Sequence, residues 1–128
     1  MITAHNEKEQ YKTMFSNGVH DTIADVGTAN GGTNAGFNPH DLLEAAYASC
    51  INITVRMWAE KFDVPVTDII TKVSIDKSRE GKTVFRYKME VEGDLTDEQR
   101  ERLSRIPLKS PIMHSLAKEI EFEAGDDL

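Results

Sequence analysis

Apolar residues recur along this chain at two spacings, and each spacing marks its own stretch. Leu42, Leu43, Ala46, Tyr47, Cys50, Ile51, Thr54, Met57 and Trp58 follow one another at helical intervals. Ala45, Ala48 and Ile53 widen that zone beyond a single stripe. A helix apolar nearly all round is expected to be central and covered. Its start is well marked, with Asn38 as N-cap, Pro39 at the first helical position and Asp41 at the third. The pattern fades between Phe62 and Pro65.

Elsewhere the spacing is two. Ile69 to Ile75 alternates as a strand does. Thr83 to Val91 predicts its partner, with Val84 and Arg86 facing away from Phe85 and Tyr87, across a turn at 78–82 that contains Gly81. Nearer the start, Glu9 to Phe15 and Val19 to Val26 predict two strands joined at Asn17-Gly18, a two-residue hairpin signal. Val19, Asp21, Ile23 and Asp25 would share a face. Thr96 with Gln99 forms a capping box, opening a helix through about Ile106. Ser110-Pro111 opens a short helix to about Glu119, and Ile120 to Phe122 predicts a last strand. The order is ββαββααβ, an α+β pattern in one domain over residues 1–128. The long helix has more apolar surface than one small sheet can cover. A homodimer covering it is therefore expected; a monomer with the helix fully wrapped is the alternative.

Composition narrows the function classes. At 39% hydrophobic and 29% charged residues, the chain reads as a globular protein able to bury a core without disulfides. A single cysteine cannot form an internal disulfide, which is compatible with a reducing cytoplasm. Met1 to Tyr11 carries no apolar signal core, and Asn52, Thr54 and Arg56 interrupt the apolar run, so no membrane span is expected. Acids outnumber bases 22 to 15, for a net charge of −7, which argues against nucleic-acid binding. No metal-ligand spacing is present, and no cofactor is expected. The loop from Gly27 to Gly36 lacks the spacing of a P-loop or a dinucleotide fingerprint. It is either a connection or an anion cradle ahead of a helix N-terminus.

The run from Asn38 through Pro39, His40, Asp41, Leu42, Leu43, Glu44, Ala45, Ala46, Tyr47, Ala48 and Ser49 to Cys50 resembles the core motif of the OsmC/Ohr family. Ser110-Pro111-Ile112, with Leu116 downstream, resembles its second motif, usually Cys-Pro-Val/Ile. The resemblance covers nearly the whole chain. It implies an intertwined α+β homodimer and thiol-dependent reduction of organic hydroperoxides. By this resemblance Cys50 would attack the peroxide, a second cysteine would close a disulfide, and an arginine and a glutamate would activate the first thiol. The chain departs from that pattern at three places. Ser110 stands for the second cysteine, His40 stands where the glutamate is usual, and no arginine precedes Arg56.

Each candidate also has a plainer role. Cys50 is either a nucleophile or a small buried hydrophobe. His40 could serve as base or, protonated, as the missing cation; His20 is a lesser stand-in, and either could be a surface residue. Asp41 suits the helix dipole. Ser110 is a good N-cap, and His114 one turn on makes a Ser–His pair conceivable. Two functions follow. One is a single-cysteine peroxidase relying on an external thiol and a small organic substrate. The other is a non-catalytic dimer binding a small apolar molecule at its interface. A redox sensor lies between them.

Overall fold

The computed structural model describes residues 1–125. Three strands come first: β1 (Thr3–Asn6), β2 (Thr13–Ser16) and β3 (Asp21–Ala24). The long helix α1 (Pro39–Lys61) follows, then β4 (Val66–Asp76), β5 (Val84–Gly93), α2 (Asp97–Ser104) and α3 (Pro111–Leu116). Short 3₁₀ turns occupy Thr28–Asn30 and Pro107–Lys109. By its internal contacts the chain divides into two units, Met1–Ala45 and Ala46–Leu128.

In the first unit, β1, β2 and β3 form an antiparallel sheet in that order. The expected strand at 9–15 is shorter and later, because Glu9 to Lys12 turn: Lys12 N–H donates to the Glu9 carbonyl at 3.2 Å. β1 carries no alternating signal; it is a strand by virtue of its pairing with β2. The returning strand is also shorter than 19–26. Asn17 N–H donates to the His20 carbonyl, and Gly18 takes the positive φ of 88° at the first central position. The Asn17 side chain accepts from the N–H groups of Val19 and His20, so Val19 belongs to the turn. Among the described residues of this unit, Asp25 alone is buried.

The second unit contains the core. Tyr47, Ile51, Val55 and Ala59 repeat every four residues along α1 and are buried with Val64, Val66, Leu103 and Ile106. β4 and β5 pair in register, with Ile69, Thr71, Val73 and Ile75 opposite Val91, Met89, Tyr87 and Phe85. Ile69, Val73, Phe85, Met89 and Val91 pack against the core. Thr71 donates its hydroxyl to the Asn52 side chain at 2.7 Å, and Arg56 donates to the Val66 carbonyl at 2.9 Å. α2 opens with the expected capping box, Thr96 and Gln99 exchanging side-chain-to-backbone bonds.

Two expectations are corrected. The helix after Ser110 stops at Leu116 rather than near Glu119. Residues 120–122 form no strand, and Phe122 is 96% exposed. Alternation alone cannot make a strand; a neighbouring edge must supply the hydrogen bonds. The acidic run 119–127, whose sequence leads one to expect a solvated tail, extends past the described residues. As expected of α1, its apolar surface is wider than the core that covers it within the chain. Ile53 and Met57 are 59% and 65% exposed.

Candidate functional site

Cys50 is a free, half-buried thiol on α1. Its place follows from the helical repeat. The core stripe at Tyr47, Ile51 and Val55 turns inward, and Ala46, Cys50, Ile53 and Met57 recur at intervals of four, three and four on another face. The carbonyl of Cys50 accepts the Thr54 hydroxyl at 2.7 Å, a contact within the helix.

One turn before the cysteine lies Tyr47. Its ring meets Phe85 edge-on at 6.0 Å and Tyr87 edge-on at 5.8 Å. Its buried hydroxyl donates to the Pro107 carbonyl at 3.2 Å. Burial pushes the Tyr47 phenol up from its ordinary range, and the nearby charges of Tyr87 and Cys50, when ionised, push it the same way. The group beside the thiol is thus a neutral phenol, whose proton is already given to a carbonyl. A phenol so committed does not supply the positive field that favours a thiolate.

Pro107 leads to Ser110. The Pro107 carbonyl also accepts the Ser110 N–H at 3.4 Å. Ser110 is fully buried, and its hydroxyl accepts the Met113 N–H at 3.2 Å as the N-cap of α3. The plain reading of Ser110 therefore accounts for its hydroxyl. His114 is exposed, and it meets Ser110 through the backbone, its N–H donating to the Ser110 carbonyl at 3.1 Å. No side-chain Ser–His bond is formed. Tyr47, not named among the candidates, joins the Cys50 turn of α1 to the Ser110 turn. Its helical spacing marked it as apolar; nothing local marked its hydroxyl as a tether.

His40 and Asp41 stand in the first unit, at the first turn of α1. The His40 N–H donates to the Asn38 side chain at 3.0 Å, and Asp41 accepts the Asn38 N–H at 3.1 Å. These two bonds have the reciprocal form of a capping box, so Asp41 acts in the cap expected of it.

The loop before that cap connects β3 to α1, and its donors are taken up within the chain. Asp25 carboxylate oxygens accept the N–H groups of Val26, Thr33 and Ala35 at 2.7, 3.0 and 3.1 Å, and the Thr33 hydroxyl at 2.7 Å. These bonds, led by the Thr33 hydroxyl, hold its carboxyl down at about 2 against the opposing effect of burial. The loop donors are thus occupied by the protein's own carboxylate. A Cβ on Gly32 would lie 2.1 Å from the Val26 carbonyl oxygen, so this approach requires glycine. The same unit holds an open hollow of about 650 Å³ whose apolar wall includes Met14, Ile23 and Phe37. Among the described residues, no group of three or more His, Cys, Asp or Glu is placed to hold a metal ion. Among them also, no helix is long and apolar enough to cross a membrane.

Comparison with known proteins bears on the fold and the family. The family model for OsmC-like protein matches residues 32–124. No curated protein matches the chain. Among solved structures, an osmotic stress induced and detoxification response protein from Psychrobacter arcticus superposes with a TM-score of 0.75 at 17% identity, covering 89% of this chain and 85% of the other. An OsmC like protein from Mycoplasma pneumoniae gives 0.73 at 16% identity, with 91% and 85% covered. The organic hydroperoxide resistance protein OhrB of Bacillus subtilis gives 0.60 at 23% identity, with 91% and 89% covered. These likenesses show the α+β fold, and the family model spans most of the sequence. The chain belongs to the OsmC-like protein family.

Proposed function

We propose that this protein is a single-cysteine, thiol-dependent peroxidase acting on small organic hydroperoxides as a homodimer. The observation that carries the reading is the state of its two motifs. Cys50 is a half-buried free thiol at the first, and a buried serine occupies the second. The hydroperoxide resistance function named for the Bacillus subtilis structure supports the same reaction class.

The Cys50 thiolate attacks the terminal oxygen of the hydroperoxide and the O–O bond breaks. The alkoxide takes a proton and leaves as an alcohol, and Cys50 becomes a sulfenic acid. Ser110 cannot attack as a resolving thiol. An external thiol instead attacks the sulfenic sulfur, water leaves, and a second thiol reduces the mixed disulfide. A reducing cytoplasm would supply both thiols. The apolar stripe of Ile53 and Met57, on the Cys50 face of α1, favours an organic rather than a charged substrate.

The homodimer is supported by what the single chain leaves uncovered. Ile53 and Met57 are exposed on α1, and the β1–β2–β3 unit has no buried apolar side chain of its own among the described residues. A small sheet needs a covered apolar face. A second copy would supply that cover.

The competing reading is a dimer that binds a small apolar molecule without turning it over. The neutral, committed phenol of Tyr47 beside the thiol favours it, since no activating charge comes from that group. Cumene hydroperoxide and a dithiol, offered to the wild type and to Cys50→Ser, separate the two. Thiol-dependent loss of peroxide in the wild type alone supports the peroxidase. Equal rates in both proteins sink it, as does a Cys50 that labels at neutral pH only after unfolding.

A further inference from the structure

Asp25 is the buried charge that the proposed chemistry leaves unused. It is 3% exposed and stands just after the last residue of β3. A buried carboxylate is costly unless fully hydrogen-bonded, and this one accepts four bonds, three of them from Thr33 and Ala35. Its backbone adds another grip. The Asp25 N–H donates to the Phe37 carbonyl at 3.1 Å, while the Phe37 N–H donates to the Ile23 carbonyl at 3.1 Å. Side chain and backbone together hold residues 33–37. The next residue is Asn38, whose side chain caps α1 and accepts from His40.

We infer that Asp25 is a positioning residue for the start of the Cys50 helix, holding the loop through Thr33, Ala35 and Phe37 so that Asn38, His40 and Asp41 are presented in one fixed arrangement. This placement of the helix start does not depend on the proposed function. The bonds are short and convergent, and charge-assisted bonds to backbone N–H groups are stronger than neutral ones. Gly32 permits the close backbone approach that lets the loop wrap the carboxylate. No other residue type at position 25 offers two acceptor oxygens on so short a stem.

The test removes the carboxylate and then returns it from solution. In Asp25→Ala, amide exchange at Thr33 and Ala35 should accelerate, and the His40 ring signals should shift. Excess formate should reverse both, and chloride at equal ionic strength should reverse none. Thr33→Val, which keeps the carboxylate and loses one donor, should show the same changes in weaker form and covers the case in which the alanine variant does not fold. Wild-type exchange and His40 signals in both variants would overturn the inference, as would equal rescue by chloride. Wild-type protein without peroxide turnover would defeat the peroxidase reading alone, because exchange and the His40 signals still report on Asp25.

Discussion

The buried hydroxyl of Tyr47 donates to the carbonyl of Pro107 at 3.2 Å, and that carbonyl also receives the N–H of Ser110. The turn that carries the second motif is thereby tied to the helix one turn before Cys50. The two segments are thus joined by a hydrogen bond that does not depend on redox state.

Removing only that hydroxyl measures the tie. Tyr47→Phe keeps the ring between Phe85 and Tyr87 and leaves the Pro107 carbonyl with the 3.4 Å bond from Ser110. A single such bond contributes about 1 kcal/mol net. The urea midpoint should fall accordingly with an unchanged slope. Tyr47→Ala also empties the ring site and should cost about 3–5 kcal/mol. Equal midpoints for wild type and the phenylalanine variant would show that the bond contributes nothing.

Ser110 separates capping from catalysis. Its hydroxyl caps α3 through Met113, so Ser110→Ala should lose about 1 kcal/mol of stability. The rate at which iodoacetamide modifies Cys50 should stay within about twofold of wild type, since the surface and fold around the thiol are kept. A large loss of Cys50 reactivity with full stability would give the serine a chemical role instead.

Dimerisation can be tested where the single chain loses nothing. Ile53 and Met57 are exposed on α1, so Ile53→Asp or Met57→Lys removes little burial within the chain. If a second copy covers this face, either charge should halve the mass seen by light scattering. An unchanged mass in both variants would remove α1 from the interface.

Two buried groups contribute to the pH dependence with opposite signs. The folded Asp25 carboxyl lies at about 2, below the ordinary value of 3.8. Its contribution is therefore present above pH 3.8 and is lost as pH falls through about 2. The melting temperature of the wild type should drop through this acid window, and Asp25→Asn should flatten that part of the curve. Tyr47 is shifted upward, chiefly by burial, from its ordinary value of 10.0. Its contribution is present below pH 10 and is lost as pH rises from there through the folded value. Tyr47→Phe should remove that alkaline loss. Acid and alkaline slopes that both variants leave untouched would assign the effects to other groups.

Much of the local structure was legible in the sequence because it depends on neighbours in the chain. Asn38-Pro39 and Thr96 with Gln99 mark helix starts by satisfying nearby N–H groups. The alternation around Ile69 and Phe85 identifies two strands and their buried face. The candidate thiol was equally plain, since Cys50 is the only cysteine and lies in a recognisable motif.

What the tertiary structure decided were the long-range partners. β1 carries no alternating pattern, and its pairing with β2 makes it a strand. Residues 120–122 do alternate, yet among the described residues they pair with no strand. Asp25 reads as one acid on a mixed strand face. Only the folded loop, eight to ten residues on, turns it into a buried clasp. Tyr47 reads as one more apolar helix position until its hydroxyl meets a carbonyl sixty residues away. Periodicity reports which face of an element is apolar, because that is a local property of side-chain order. It cannot report which distant polar atom will satisfy a buried hydroxyl or carboxylate, because that choice is made only when the chain closes on itself.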